Sequence, residues 1–119
     1  MSHQATVMRS QAHGLYRQGD IHDAVDMFVA AWAVLPEPRE AQPPASAIAA
    51  ELANISLNDL GDLDIASYWT ERLARCAGPH GTPREVELLR GRIELARGDI
   101  HAASRHLAAG LGSVTAGMR

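Results

Sequence analysis

The chain has 119 residues, a formal net charge of −3, and arginine as its only strongly basic residue type. This charge argues against nucleic-acid binding, which favours a basic excess. The longest apolar run, 28–35, is far shorter than the roughly 20 residues of a membrane span. Cys76 is the only cysteine, which excludes an internal disulfide and a cysteine-based zinc site. We therefore expect a cytoplasmic protein that binds neither nucleic acid nor membrane.

Three Gly-Asp pairs divide the chain, the second 42 residues after the first and the third 37 residues after the second. The pairs are Gly19-Asp20, Gly61-Asp62 and Gly98-Asp99. A glycine can end a helix in the left-handed conformation. An aspartate can then accept hydrogen bonds from the free N–H groups of the next helix. Each pair therefore predicts a tight turn between two antiparallel helices.

Apolar side chains that recur every three or four residues predict helices on both sides of each turn. The predicted helices cover residues 2–18, 21–35, 45–60, 63–77, 83–97 and 100–111. Prolines at 36, 38, 43 and 44 predict a stiff loop over 36–44, and a second loop covers 78–82. Thr82, Pro83 and Glu85 predict a capping box at the start of the fifth helix. Residues after 111 are predicted to fray.

An alanine follows each turn at the same distance. These residues are Ala24, Ala66 and Ala103. We expect them at close helix crossings, with Phe28 buried beneath them, because alanine lets helices approach closely. Cys76 is expected to be a small buried thiol.

With these features the chain resembles the tetratricopeptide repeat family. The second helix of the first repeat carries Ala24, Phe28, Ala31 and Pro36, close to the family's small–large–small–proline pattern. The second repeat departs from the pattern with Asn54 at a small position and Thr70 at a large aromatic one. The third departs as well, because polar residues stand where the family has bulky apolar ones, so that helix 5 is expected to be rotated or the repeat phase to differ there. Those residues are Glu87, Arg90 and Glu94.

The resemblance implies an all-α domain: a short α-solenoid of six helices in three helix-turn-helix repeats, over about 2–36, 44–78 and 82–112. It also implies binding of a partner protein or peptide in a groove lined by the first helix of each repeat. The partner is not named by the sequence. At the positions of the family's carboxylate clamp the chain has residues such as Leu52, Leu89 and Glu85, so recognition of chaperone tails is not expected.

Alignment on the turns predicts which first-helix side chains line this groove. They are Arg9, His13, Tyr16, Arg17, Glu51, Ile55, Asn58, Asp59, Leu88, Arg92 and Leu95. The two arginines and the histidine of the first helix recur every four residues and share one face. Since an arginine fork suits a carboxylate, we expect them to form a basic wall opposite Glu51 and Asp59. The alternative is an ordinary solvated helix face.

Other kinds of site have weaker support. His101 and His106 lie five residues apart, which is poor metal-ligand spacing on one helix, so no metal is expected. No cofactor motif and no catalytic set is recognised, so an enzyme is only a distant alternative.

Two apolar stretches favour self-association as a second hypothesis. Helix 2 carries Val29, Ala30, Trp32 and Ala33 on faces that should be polar in an outer helix. Helix 6 carries apolar residues at the end of the repeats, where a polar capping element is expected. These residues are Leu107, Leu111 and Val114. A homodimer through helix 2 or helix 6 would bury them; alternatively, loop 36–44 and the C-terminal tail cover them.

Overall fold

The computed structural model describes residues 2–76 and 82–117; of residue 2 and residues 112–117 it describes the backbone alone. All regular structure in these residues is helical, as predicted. The α-helices are α1 (Ser2–Arg17), α2 (Ile21–Ala33), α3 (Ala45–Ile55), α4 (Leu63–Ala74), α5 (Pro83–Arg97) and α6 (Ile100–Gly117). A 3-10 turn (Arg39–Ala41) lies in the proline loop, and a π-helical segment (Ser56–Leu60) continues α3.

The three predicted turns are confirmed. Each turn glycine has a left-handed backbone, with φ of 86° at Gly19, 62° at Gly61 and 86° at Gly98. A residue with a Cβ would be strained there. Asp62 and Asp99 cap the following helices by accepting from Ile65 N and Ala102 N. The expected cap by Asp20 is wrong, since its side chain makes no capping hydrogen bond.

The helix ends differ from the prediction in several places. The structure continues α6 to Gly117, so the predicted fraying after 111 is wrong; no proline interrupts the backbone hydrogen bonds there. The second helix ends at Ala33, and Leu35 N donates to Trp32 O in a tighter turn before Pro36. The predicted end of the fourth helix at 77 is wrong, since α4 ends at Ala74 and Arg75 N and Cys76 N close a tighter turn on Arg72 O and Leu73 O. The predicted loop 78–82 lies outside the described residues, apart from Thr82.

Thr82 caps α5 by accepting from Glu85 N at 3.3 Å. The other half of the predicted capping box, from Thr82 N back to the Glu85 carboxylate, is not formed in the described chain. The Glu85 side chain instead lines the surface between α3 and α5. The capping box is therefore only half correct.

The core contains the residues expected of close helix packing. Ala24, Ala66 and Phe28 are fully buried, and Ala103 is nearly so, which confirms their predicted burial. Trp32 packs edge to face on Trp69, with ring centroids 5.2 Å apart. Each helix packs against the next along the chain, and α2 packs on α3 as α4 packs on α5. The molecule is thus three helical hairpins, α1–α2, α3–α4 and α5–α6, in succession.

Polar side chains connect the third hairpin to the second. Arg90 donates to Glu71 at 2.7 and 2.9 Å and to Glu87 at 2.6 Å. Arg97 reaches Asp64 at 3.1 Å and Glu94 at 2.9 Å. The three polar residues of α5 that depart from the family's apolar pattern, Glu87, Arg90 and Glu94, all take part in these ion pairs.

The prediction that two apolar faces, on the second and sixth helices, are open for self-association is partly wrong. Trp32 is buried against Trp69, so it is not on an open face of α2. Leu107 packs on Gly91, where a Cβ atom would come within 2.7 Å of the leucine side chain. In contrast, Val29 and Leu111 are 42% and 62% exposed, so loop 36–44 does not cover Val29. The side chain of Val114 lies outside the described part.

Candidate functional site

The surface formed by α1, α3 and α5, here called the groove, contains three adjoining depressions. The first, about 290 Å³, is lined by Tyr16, Ala47, Ala50, Glu51, Asn54, Ile55, Asn58 and Glu85. The second, about 210 Å³, is lined by Ala50, Asn54, Leu73, Glu85, Leu88, Leu89 and Arg92. The third, about 380 Å³, is lined by Leu57, Asn58, Arg92, Leu95 and Ala96. Because each depression shares at least one residue with each of the other two, the three form one continuous surface.

Glu51 is the acidic centre between α1 and α3. His13 Nε2 lies 2.6 Å from Glu51 Oε1, and an Arg9 guanidinium nitrogen lies 4.0 Å from the same oxygen. The His13 ring also packs edge to face on Phe28, with centroids 5.6 Å apart. The core therefore holds the imidazole in position while its polar edge faces the carboxylate.

Tyr16, rather than an arginine, contacts the second predicted acid. Its hydroxyl donates to Asp59 Oδ2 at 2.9 Å. This hydrogen bond raises the pKa of Tyr16, with smaller contributions from burial and from the charges of Asp59 and Glu51. The phenol accordingly remains a protonated donor throughout the neutral range.

The π-helical segment places two groove residues toward opposite sides. It ends at the left-handed Gly61, and Asp62 N closes the turn on Ser56 O at 2.9 Å. Asp59 accepts from Tyr16 of α1, whereas Asn58 accepts from Arg92 of α5 at 2.5 Å. A π turn widens the helix and changes side-chain directions locally. One short segment thus joins all three helices of the groove.

Asn54 and Arg92 form the polar connection between α3 and α5. Arg92 donates to Asn54 Oδ1 at 3.4 Å, and the Asn54 amide donates to Ala50 O at 2.9 Å. Arg92 itself is exposed, and it lines two of the depressions. An acceptor of a bound segment could therefore replace Asn54 or Asn58 as the hydrogen-bond partner of the Arg92 guanidinium.

The structure brings most of the predicted groove residues together. Arg9 and His13 face Glu51 as expected. Arg17 does not complete the basic wall, because the hydroxyl of Tyr16 donates to Asp59 in its place. Arg17 is exposed and forms no ion pair with a described residue.

The apolar residues predicted for the groove differ in exposure. Ile55 is nearly buried and forms part of the floor of the first depression. Leu88 is half-buried against Gly110 and lines the second depression, whereas Leu95 is 51% exposed at the edge of the third.

Sequence reasoning missed several residues that line the groove. Ala47, Ala50 and Asn54 line it from α3, and Glu85 lines it from the first turn of α5. A signal exists in α3, because positions 47, 50, 51, 54 and 58 recur every three or four residues and share one helix face. The position of Glu85, three residues after Thr82, instead indicates a capping residue.

The described residues also bear on other chemistries. Among residues 2–76 and 82–117, no three His, Cys, Asp or Glu side chains are grouped in a way that could hold a metal ion. Burial raises the pKa of the Cys76 thiol to about 11, so this cysteine is a poor nucleophile at neutral pH. Within the same residues no helix has the length and apolar character needed to cross a membrane.

Comparison with models of protein families, with curated proteins and with solved structures gave no match to this chain.

Proposed function

We propose that the chain is a protein-binding module of the tetratricopeptide type, which holds a segment of a partner protein in the groove of α1, α3 and α5. The observation that carries this proposal is the set of three adjoining depressions, lined from those three helices and from the π-helical segment. Each is large enough for one or two side chains, and together they suit a short run of residues better than a compact small molecule.

The composition of the groove supports a peptide-like ligand. Small side chains, Ala47 and Ala50, let a backbone approach α3 closely. Charged side chains of both signs surround them: the carboxylates of Glu51 and Glu85 and the guanidinium of Arg92. A bound segment would therefore carry charge of both signs and place an apolar side chain against Leu88 and Leu89 in the second depression.

Selection from a random peptide display library tests the proposal, because it requires no candidate partner. The library is selected on the immobilised chain, and enriched peptides are synthesised and titrated by calorimetry. We expect Ala50→Trp to abolish binding, because the indole would fill the two depressions that Ala50 lines. Ala74→Trp, on the exposed side of α4, is the matched control and should bind as wild type does.

Three results would contradict the groove as the site. They are a failure to enrich any peptide, binding to Ala50→Trp that is as tight as to wild type, and an equal loss of binding in Ala74→Trp. Circular dichroism melting of each variant separates loss of binding from loss of folding.

A further inference from the structure

The half-buried acids of this protein follow one pattern with a single exception. Among the described residues, five carboxylate side chains are half-buried, and four of them have a basic side chain within ion-pair distance. The pairs are Glu40 with Arg72 at 2.9 Å, Glu51 with His13 at 2.6 Å, Glu87 with Arg90 at 2.6 Å and Glu94 with Arg97 at 2.9 Å. Glu85 is the fifth, and its carboxylate forms neither an ion pair nor a hydrogen bond with a described residue.

Glu85 is placed where a ligand can supply the missing partner. Its side chain lines the first and second depressions of the groove instead of closing the capping box with Thr82. A carboxylate that is partly removed from water loses hydration, which a cation or hydrogen-bond donors normally compensate. The adjacent Arg84 is exposed and forms no ion pair with a described residue. The open side of the two depressions is therefore the side from which a compensating cation arrives.

Acids outnumber bases in the lining of the first depression. Glu51 lines it from α3 and Glu85 from α5, whereas no basic residue lines it. Asp59 lies close by, since it accepts a hydrogen bond from Tyr16, which lines the depression from α1. Two carboxylates from different helices thus face one depression, and a cation placed in it would be attracted by both.

The basic residues near this depression do not fill that role. Arg9 and His13 approach one carboxylate oxygen of Glu51 from α1, at 4.0 and 2.6 Å. Arg92 lines the second and third depressions, and its guanidinium donates to two asparagine side chains. Arg17 is exposed and forms no ion pair with a described residue. No base in the described chain therefore compensates the unpaired acid.

The rest of the lining suits the alkyl stem of a basic side chain. Ala47, Ala50 and Ile55 contribute apolar surface to the same depression. Lysine and arginine pack their methylene groups on such surface while the charged head stays in a polar place. The ring of Tyr16 completes the lining, and an aromatic ring attracts a cation over its face. A basic side chain would use all of these groups, whereas a metal ion would use the carboxylates alone.

We propose that the first depression binds a lysine or arginine side chain of the partner segment, with Glu85 as its main ion-pair partner and Glu51 as the second carboxylate. The inference rests on the proposed function, because it names the chemistry that the groove recognises. It also orders the segment: an apolar residue next to the basic one enters the second depression, which Glu85 lines as well. An acidic residue of the segment then faces Arg92, between the second and third depressions.

Blocked amino acids test the depression without a partner protein. N-acetyl-arginine methylamide and its lysine counterpart are titrated into the isotopically labelled chain and followed by NMR, and the citrulline counterpart is the neutral control ligand. We expect saturable shifts of the Ala47, Ala50 and Glu85 amides with the basic ligands and none with citrulline, and the tighter of the two identifies the preferred base. Glu85→Gln should weaken this binding by about fivefold or more. Asp26→Asn, which removes an equal charge at an exposed position outside the groove, should not.

Peptides enriched on the immobilised chain extend the test to whole segments. Each basic residue of a peptide is replaced by a neutral analogue, citrulline for arginine and norleucine for lysine, and both versions are titrated against wild type and Glu85→Gln. We expect one replacement to weaken binding to wild type by about fivefold or more and to have little effect on Glu85→Gln, because both changes remove the same ion pair.

The outcomes separate this inference from the proposed function. Peptides that bind in the groove with no dependence on Glu85 would overturn the inference and leave the groove as the binding site. Equal shifts with citrulline, or unchanged affinity in Glu85→Gln, would also overturn it. Basic ligands that bind through Glu85 when no peptide is enriched would support the cation site and contradict the proposed function, and no binding of either kind would contradict both. If circular dichroism shows that Glu85→Gln is unfolded, Glu51→Gln takes its place in both titrations.

Discussion

The contact between the first and second hairpins differs in kind from the contact between the second and third. The first is apolar: Phe28, Ile48 and Leu52 are fully buried in the shared core, and the two tryptophans meet there. The second depends largely on ion pairs of α4 with α5, although Val86 and Leu89 extend the apolar core into α5. The same turn pattern therefore joins hairpins that are held together by different forces.

The difference predicts unequal stability along the chain. Apolar burial contributes about 25 cal/mol per Å², so each large buried side chain contributes a few kcal/mol. An exposed ion pair contributes only about 0–1 kcal/mol and is screened by salt. The third hairpin should therefore open before the first two. Its opening would also remove the α5 side of the groove.

The largest expected effect is at the apolar contact. Phe28→Ala should lower the free energy of unfolding by about 3–5 kcal/mol, because it leaves a cavity in a fully buried position. Since total stability for such a domain is about 5–15 kcal/mol, the variant should be barely folded in chemical denaturation. Val29→Ala, next in sequence but exposed, is the control and should change stability by no more than about 0.5 kcal/mol. A wild-type midpoint for Phe28→Ala would refute the apolar account.

A second prediction concerns the turn of the third hairpin. Gly98→Ala should lower stability by about 1–2 kcal/mol, because φ is 86° there and a Cβ disfavours that conformation. The control is Gly14→Ala inside α1, where a Cβ would meet nothing within 4 Å. That change should stabilise the chain by up to about 1 kcal/mol through helix propensity. Equal effects of the two substitutions in thermal melts would contradict the assignment of the turn.

A third prediction follows from the acids at the polar contact. The hydrogen bond from Arg90 lowers the pKa of Glu71. Burial opposes ionisation of Glu87, but hydrogen bonds from His106 and Arg90 outweigh it and lower its pKa too. A depressed pKa in the folded state stabilises the fold above the ordinary glutamate value of about 4.3, and this stabilisation is lost as the pH falls further.

Acid titration can therefore separate the two contacts. Both tryptophans report on the contact of the first two hairpins, whereas circular dichroism reports on all helices. As the pH falls, helix signal should be lost before tryptophan fluorescence changes, and added salt should enlarge the difference. Arg90→Met should remove much of this pH dependence at a cost of about 1 kcal/mol or less at neutral pH. Coincident transitions in wild type would contradict the separation.

Local chemistry explains which features could be predicted from the sequence. The turns were predictable because each residue acts locally: Gly61 adopts the left-handed backbone, and the Asp62 side chain caps the helix that begins next to it. The burial of Ala24 and Phe28 followed from helical periodicity. In contrast, the ion pairs of Arg90 depend on which helix lies opposite, and periodicity within one helix does not determine that.

The groove shows the same division. Its face on α1 could be predicted, since Arg9 and His13 do reach Glu51. The partner of Asp59 could not, because the π-helical segment changes the direction of that carboxylate and brings it to Tyr16. Neither a π turn nor the half-formed capping box at Glu85 has a reliable signature in sequence.

The central claim is that the groove binds the partner. The substitutions that test this claim most directly should also have the smallest effect on stability. Arg9→Ala combined with Arg17→Ala removes two cations of the α1 face beside the groove, Arg9 at 4.0 Å from Glu51 and Arg17 at an exposed position. Titration of a selected peptide should show at least about a tenfold loss of affinity, roughly 1.4 kcal/mol, with an unchanged melting temperature. The combined control Arg75→Ala and Arg105→Ala, outside the groove, should bind as wild type does. Equal affinity of the groove variant and wild type would contradict the account and place the binding surface elsewhere.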